Sequence, residues 1–200
     1  MNMVTTLAEL EKIYAPAPTR ASMAKEVGYI SVHYRKLIEA SPFAILATAG
    51  PEGLDCSPRG DKPGFVRVVD ERTLIIPDRR GNNRIDILRD PRVALLFLIP
   101  GSGTTFRVNG KAAISAEPTL LASFAVEDKP PRTAIVISVE AAYFQCARAI
   151  VRSGLWDEKR HVEADVLPTP GKILESLSRS EIDGQAYDAE WPGRASKTLW

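Results

Sequence analysis

Histidine and cysteine are scarce in this sequence, with two of each. His33 and His161 give a histidine-based metal centre little to work with. Cys56 and Cys146 lie far apart and outside any C-x-x-C, which excludes a disulfide framework or a zinc site as an expectation. Reduced thiols in a cytoplasmic setting are the default. Cys146, in an apolar strand-like stretch, reads as a small core residue. Charge of one sign is also missing: 26 basic residues against 25 acidic ones leave a net +1. That balance argues against a broad nucleic-acid face. No apolar run reaches membrane-spanning length, and the first residues lack the charged-then-apolar order of a signal peptide. There is no internal repeat, no P-loop and no G-x-G-x-x-G. No Ser, His and Asp arrangement suggests protein-only hydrolysis.

What is present is an ordinary globular composition, 44% hydrophobic and 26% charged over 200 residues, enough for one core. Short helices are expected at 5–13 and 31–40, the second capped by Ser31. From Pro42 the texture changes to short strands between Gly/Pro turns, at 42–50, 54–60, 64–70 and 73–77. A helix over 81–89, with Ile85 and Leu88 on one face, ends at Pro91. Strands follow at 92–100, apolar throughout, and at 104–115, where Phe106, Val108, Ala112 and Ile114 alternate with polar residues. A helix at 117–125 precedes a long, bent strand at 133–147. The remainder is polar, with one helix at 170–178. Strands with few crossover helices predict a mainly β fold with peripheral helices, an antiparallel barrel and not a doubly wound parallel sheet.

Three stretches carry candidate chemistry. In "IIPDRRGNNRIDIL" (75–88) a strand delivers Pro77 and Asp78 to the mouth of a helix among Arg79, Arg80, Asn82, Asn83 and Arg84. Helix N-termini and arginine forks both suit a phosphate, and Gly81 would let backbone approach it closely. Asp78 or Asn82 could cap the helix. A solvated turn, with Asp78 pairing a neighbouring arginine, fits the same residues. In "CSPRGDKPGFV" (56–66), Arg59, Gly60, Asp61 and Lys62 read as a surface loop or a ligand border. In "RSGLWD" (152–157), Trp156 could stack on a flat ring and Arg152 meet an anion, or Trp156 could seal a core edge.

As a set these stretches are more specific. The run from "SPFAILATAGPEGLDCSPRGD" through "IIPDRRGNNR" and "DPRVALLFLIPG" to "FRVNGKAAI", with "YFQCARAIVRSGLW" at 143–156, resembles the pyridoxamine 5'-phosphate oxidase-like family of FMN-binding split barrels. It is most similar to a bacterial branch of FMN-dependent flavoproteins. The resemblance covers about 41–157, flanked by a helical extension at 1–40 and a C-terminal extension at 158–200 that packs on the barrel or on a partner subunit. It implies a six-stranded antiparallel split β-barrel, a homodimer and FMN at the subunit interface. It also implies that Arg59 to Lys62 border the flavin, and that the backbone of Ile76 and Pro77 touches its ring. The family's phosphate-holding Ser-Arg-Lys run falls on Gly81, Asn82 and Asn83, which shifts positive charge onto Arg79, Arg80 and Arg84. Thr105 and Arg107 would come from the other subunit or line the cavity, and Arg152 and Trp156 would close over the cofactor. The family's C-terminal R-x-H pattern for pyridoxine phosphate is absent. The expected function is therefore an FMN-dependent oxidoreductase on a small molecule. A non-catalytic flavin or haem carrier and a deazaflavin reductase are the alternatives; nucleic-acid binding is the weakest. With a flavin bound, the protein need supply no acid, base or nucleophile of its own.

Overall fold

Alternation along the middle of the chain builds the sheet. The computed structural model describes residues 1, 3–14, 19–79, 83–163 and 165–199. Three short helices come first: α1 (Leu7–Tyr14), α2 (Arg20–Ala24) and α3 (Val32–Ala40), the last with Ser31 as its cap, accepting from the Tyr34 N–H. The strands are β1 (Phe43–Gly50), β2 (Gly53–Gly60), β3 (Arg67–Asp70), β4 (Thr73–Asp78), β5 (Arg92–Leu98), β6 (Thr105–Ser115) and β7 (Thr133–Gln145). Helix α4 (Asn83–Arg89) separates β4 from β5, and α5 (Pro118–Ser123) separates β6 from β7. After β7 come α6 (Arg148–Ser153), α7 (Pro170–Leu177), α8 (Gly184–Ala189) and α9 (Trp191–Thr198).

All pairings are antiparallel, in the order β2-β1-β5-β6-β7-β4-β3. The sheet has seven strands where the resemblance implied six. The extra one is the four-residue β3, which hairpins onto β4. Among the described residues no ladder joins the edge strands β2 and β3, so the barrel is open along that seam.

One face of each strand fills the interior. Leu46, Leu74, Ile76, Leu95, Phe97, Phe106, Val108, Ile135 and Ile137 are all buried, and Ile38 of α3 plugs the core beside them. Each such side chain contributes about 1.5–3 kcal/mol. Tyr34 of α3 packs on Phe106, ring centroids 4.7 Å apart. The bend expected in the last strand is a bulge: Asn109 pairs with Ala141 and Gly110 with Val139, leaving Glu140 as the extra residue. Gly110 is obligatory there, because a Cβ would stand 2.1 Å from the Ser138 carbonyl oxygen.

Three local expectations change. In α4 the buried residues are Asn83 and Ile87, while Ile85 and Leu88 face solvent. The helix turns its polar first residue inward because β1 and β2 supply that residue's partners. Cys146 is exposed, since β7 ends at Gln145 and the chain turns outward into α6. Its thiol is pulled below the ordinary value, first by the Arg148 backbone N–H and then by the charges of Arg148 and Lys25. The polar C-terminal stretch holds three helices, with α7 and α8 in contact where Gly171 meets Gly184. No helix among the described residues is long and apolar enough to cross a membrane.

Candidate functional site

The open seam is bridged by charge. Arg59 at the end of β2 and Asp78 at the end of β4 are 7% and 1% exposed, and the Arg59 guanidinium donates to Asp78 Oδ1 at 3.2 Å. Asp78 Oδ2 accepts from Arg84 Nε at 2.9 Å and from the Thr133 hydroxyl at 3.0 Å. One carboxylate thus gathers β2, β4, α4 and β7. Burial pulls the Arg59 pKa down from its ordinary value, and Asp78 pushes back.

Asn83 completes the cluster. Its amide oxygen accepts from Arg59 at 2.9 Å and from the Ser57 hydroxyl, and its amide N–H groups go to Thr48 Oγ1 at 2.8 Å and Asp55 Oδ2 at 3.2 Å. The residue is fully buried. Both side-chain N–H groups of Asn83 are therefore spent inside the fold. Asp78, a candidate helix cap, is instead the centre of the ion-pair network. Arg80, Gly81 and Asn82 lie outside the described residues.

In front of this network is a cleft of about 230 Å³. Its walls are Pro58, Arg59, Gly60, Asp61, Phe65 and Pro77 on the barrel, and Trp191, Ala195 and Leu199 at the C-terminus of the chain. Arg79 also lines it, paired with Asp61 at 3.4 Å and donating to the Phe124 carbonyl at 3.2 Å. A second cleft, shared through Arg79, Asp61, Phe65 and Pro77, holds Lys62 and Arg67. Arg67 lies over the Phe124 ring at 3.6 Å. A third holds Arg79 again, with Lys129, Arg132 and Lys197. Arg79 is common to all three.

The candidates therefore divide. Arg59, Gly60, Asp61, Lys62, Pro77 and Arg79 converge on one set of clefts. Asp78, Asn83 and Arg84 stand behind it as its support, with Arg84 39% exposed at the outer end. The Ile76 side chain belongs to the core. Thr105, Arg107, Arg152 and Trp156 line none of the three clefts. Arg107 bonds Asn109 and lies near the Tyr143 ring, and the Trp156 indole N–H is spent on the Ser102 carbonyl at 2.7 Å. Sequence reasoning missed Trp191, Ala195 and Leu199 as cleft residues. Only the proline-started, amphipathic spacing of 191–198 could have marked them as a helix.

The family model described as pyridoxamine 5'-phosphate oxidase matches residues 30–146. The chain belongs to that family. The match takes in all seven strands and both arginine-rich stretches, and leaves α6 to α9 outside. No curated protein matches the chain. Among solved structures, HupZ from Group A Streptococcus is 22% identical, with a TM-score of 0.50 over 58% of this chain and 94% of that one. A Clostridium acetobutylicum protein related to general stress protein 26 is 12% identical, with a TM-score of 0.47 over 57% and 87%. A Mesorhizobium loti FAD-binding protein is 15% identical, with a TM-score of 0.42 over 58% and 96%. At these identities the likeness is one of fold.

The residues of this pyridoxamine 5'-phosphate oxidase family member suit a flavin in chemistry and only partly in volume. A flat apolar ring with an anionic tail asks for apolar walls beside cations, and the cleft joins Pro58, Phe65, Pro77 and Trp191 to Arg59 and Arg79. Its volume falls below the roughly 300–1,000 Å³ usual for a ligand of that size.

Proposed function

We propose that this chain is an FMN-binding oxidoreductase acting on a small molecule, working as a homodimer with the cofactor at the subunit interface. Family membership supports the reading. The observation that carries it is the convergence of Arg59, Gly60, Asp61, Pro77 and Arg79 on one cleft at the strand ends. When bound, the flavin supplies the hydride or electron transfer. The protein's part is to bind, orient and exclude water. Pro58, Phe65 and Pro77 offer apolar surface, and Trp191 closes the opposite side. Arg59 and Arg79 set up a positive field that favours negative charge in the cleft; Asp61 and Asp78 temper it. Arg84, partly exposed and anchored by Asp78, is the arginine best placed to meet a phosphate from outside the network.

The visible spectrum of the protein purified from cells should show flavin bands. Stripped of cofactor, it should rebind FMN more tightly than riboflavin. A charged hydrogen bond contributes about 1.5–3 kcal/mol, so Arg84→Ala should narrow that preference by roughly ten- to 150-fold. A colourless protein that ignores added FMN overturns the reading.

The outer face of the sheet supports the dimer. Phe43, Ile45, Leu54, Leu96 and Leu98 lie on the side opposite the core, and Leu54 is 89% exposed. An apolar sheet face of this kind calls for a second copy. That copy is also what would bring Thr105 and Arg107 to a cleft they do not line in their own chain. Light scattering should give a dimer, and Leu96→Asp a monomer. Cys56 and Cys146 are both exposed in the single chain. Cys56 sits on the apolar face beside Ala47, so native alkylation should modify Cys146 and spare Cys56 until Leu96→Asp exposes it. A parent that is monomeric at micromolar concentration, with both thiols equally reactive, argues against the dimer.

A further inference from the structure

Helix α1 forms without packing on its own chain. The Glu9 N–H donates to the Thr6 hydroxyl at 3.3 Å, and the Glu9 carboxylate accepts from the Thr5 N–H at 3.0 Å. These bonds cap the first turn. Yet all of its residues from Leu7 to Tyr14 are exposed. A helix this short is marginal in water unless an apolar face of it is covered. Such a face is present. At about 100° per residue, Leu7, Tyr14, Leu10 and Ile13 fall side by side in one arc. Glu11 borders that arc on one side and Glu9 on the other, and Lys12 lies opposite. Leu7 is 70% and Tyr14 74% exposed. The helix also precedes residue 30, where the family match begins, so it stands outside the matched barrel.

Helix α4 presents the complement. Its inner face is Asn83 and Ile87. Around its outer face come, in order, Arg84, Leu88, Ile85 and Arg89. Leu88 is 75% and Ile85 57% exposed. Two aliphatic side chains thus stand between two cations, as the apolar arc of α1 stands between two carboxylates. Arg84 is anchored by Asp78 and Arg89 by Glu52, so both cationic borders are held in place while open to solvent. The match is one of shape class and of charge, apolar on apolar with opposite signs at both edges. The chain that carries both faces leaves both exposed, so neither covers the other within one molecule.

We infer that α1 is an exchanged arm: its stripe of Leu7, Leu10, Ile13 and Tyr14 docks across Leu88 and Ile85 on α4 of a second copy of this chain, with Glu9 and Glu11 beside the flanking arginines. The inference rests on the homodimer proposed above and is independent of the flavin. Two-fold symmetry makes the exchange reciprocal, so each chain gives one α1 and receives one. On the outer sheet face only Leu54 stands well clear of its neighbours. Two arms therefore add apolar area that the sheet face alone lacks, and a stable interface needs such area.

The test is amide exchange of the segment Leu7–Tyr14, with light scattering on the same samples. The segment should be protected where the protein is a dimer and lose protection on dilution to monomer. Leu10→Asp and Leu88→Asp should each abolish that protection and weaken dimerisation about tenfold or more. Mixed together, the two variants should complement. The Leu88→Asp chain brings an unaltered α1 and the Leu10→Asp chain an unaltered α4, so the unaltered α1 peptide regains its protection. Arg89→Glu should weaken protection and Arg89→Lys retain it. Protection that survives dilution and is not restored by mixing places α1 on its own chain and overturns the inference. An unprotected α1 in a parent that scatters as a dimer overturns it too, and leaves the dimer standing without the arm. Full protection in Arg89→Glu removes the charge match, and the assignment to α4 with it. A parent that is monomeric throughout removes dimer and arm together.

Discussion

Asp78→Ala should destabilise this protein by about 3–5 kcal/mol, the usual cost of removing one partner from a buried ion pair. Asp78 is 1% exposed and accepts from Arg59, Arg84 and Thr133. Without it, the Arg59 charge, only 7% exposed, loses the carboxylate that offsets its burial. For a chain of this size the change corresponds to a fall in Tm of about 6–20 °C. Arg84→Ala removes a partly exposed partner of the same carboxylate and should cost far less, about 1 kcal/mol or below. The contrast isolates burial from charge, because both substitutions break an Asp78 ion pair. Arg59→Met/Asp78→Leu should recover much of the loss, since apolar replacement of a buried pair is often neutral. It will not recover all of it, because Asn83 then lacks the Arg59 donor. Urea unfolding of flavin-stripped protein measures all of these without linkage to cofactor binding. An Asp78→Ala variant within about 1 kcal/mol of the parent would mean that water reaches the pair.

That network marks the limit of what the sequence makes legible. Strand positions follow from period-two alternation, which reports burial directly, so five strands lie inside expected segments and two overrun by one residue, β2 at Gly53 and β4 at Asp78. Helix α4 was legible as a helix and not as an oriented one. Ile85 and Leu88 look like its inner face, yet Asn83 is buried because Thr48, Asp55, Ser57 and Arg59 satisfy its amide. No local pattern encodes partners 24 to 35 residues away. Helix α6 was hidden for a different reason. "YFQCARAIV" continues the apolar texture of β7, so the change of period at Gln145 leaves no mark, and Cys146 was placed inside when it lies outside. The barrel side of the site was legible because Arg59 to Lys62 and Pro77 to Arg79 are dense, unusual stretches at strand ends. Its opposite wall was not, because α9 arrives from more than a hundred residues later.

Gly171→Val should free the C-terminal helices from each other while leaving the barrel folded. At Gly171 a Cβ would lie 2.0 Å from the Gly184 carbonyl oxygen and 2.6 Å from Asp188 Oδ2; at Gly184 it would lie 2.6 Å from the Gly171 carbonyl. The two backbones touch, and the Gly171 N–H donates to Asp188 Oδ1 at 2.8 Å across the same contact. A β-branched side chain there must part α7 from α8. Overpacking costs about 1–3 kcal/mol, and a clash against backbone belongs at the upper end. Taken as about 2–3 kcal/mol of local opening, it raises the open population roughly 30- to 150-fold. Limited trypsin digestion reads that population when reclosing is fast, and Lys172, Arg179, Arg194 and Lys197 supply the cleavage points. Cutting should accelerate there and stay unchanged within 43–145. Because α9 follows α8 directly and carries Trp191 to the cleft, the same variant should release flavin faster without any change in Arg59 or Arg79. Rapid cutting with undiminished flavin binding would show that α9 covers the cleft without contributing to it, and would confine the site to the barrel.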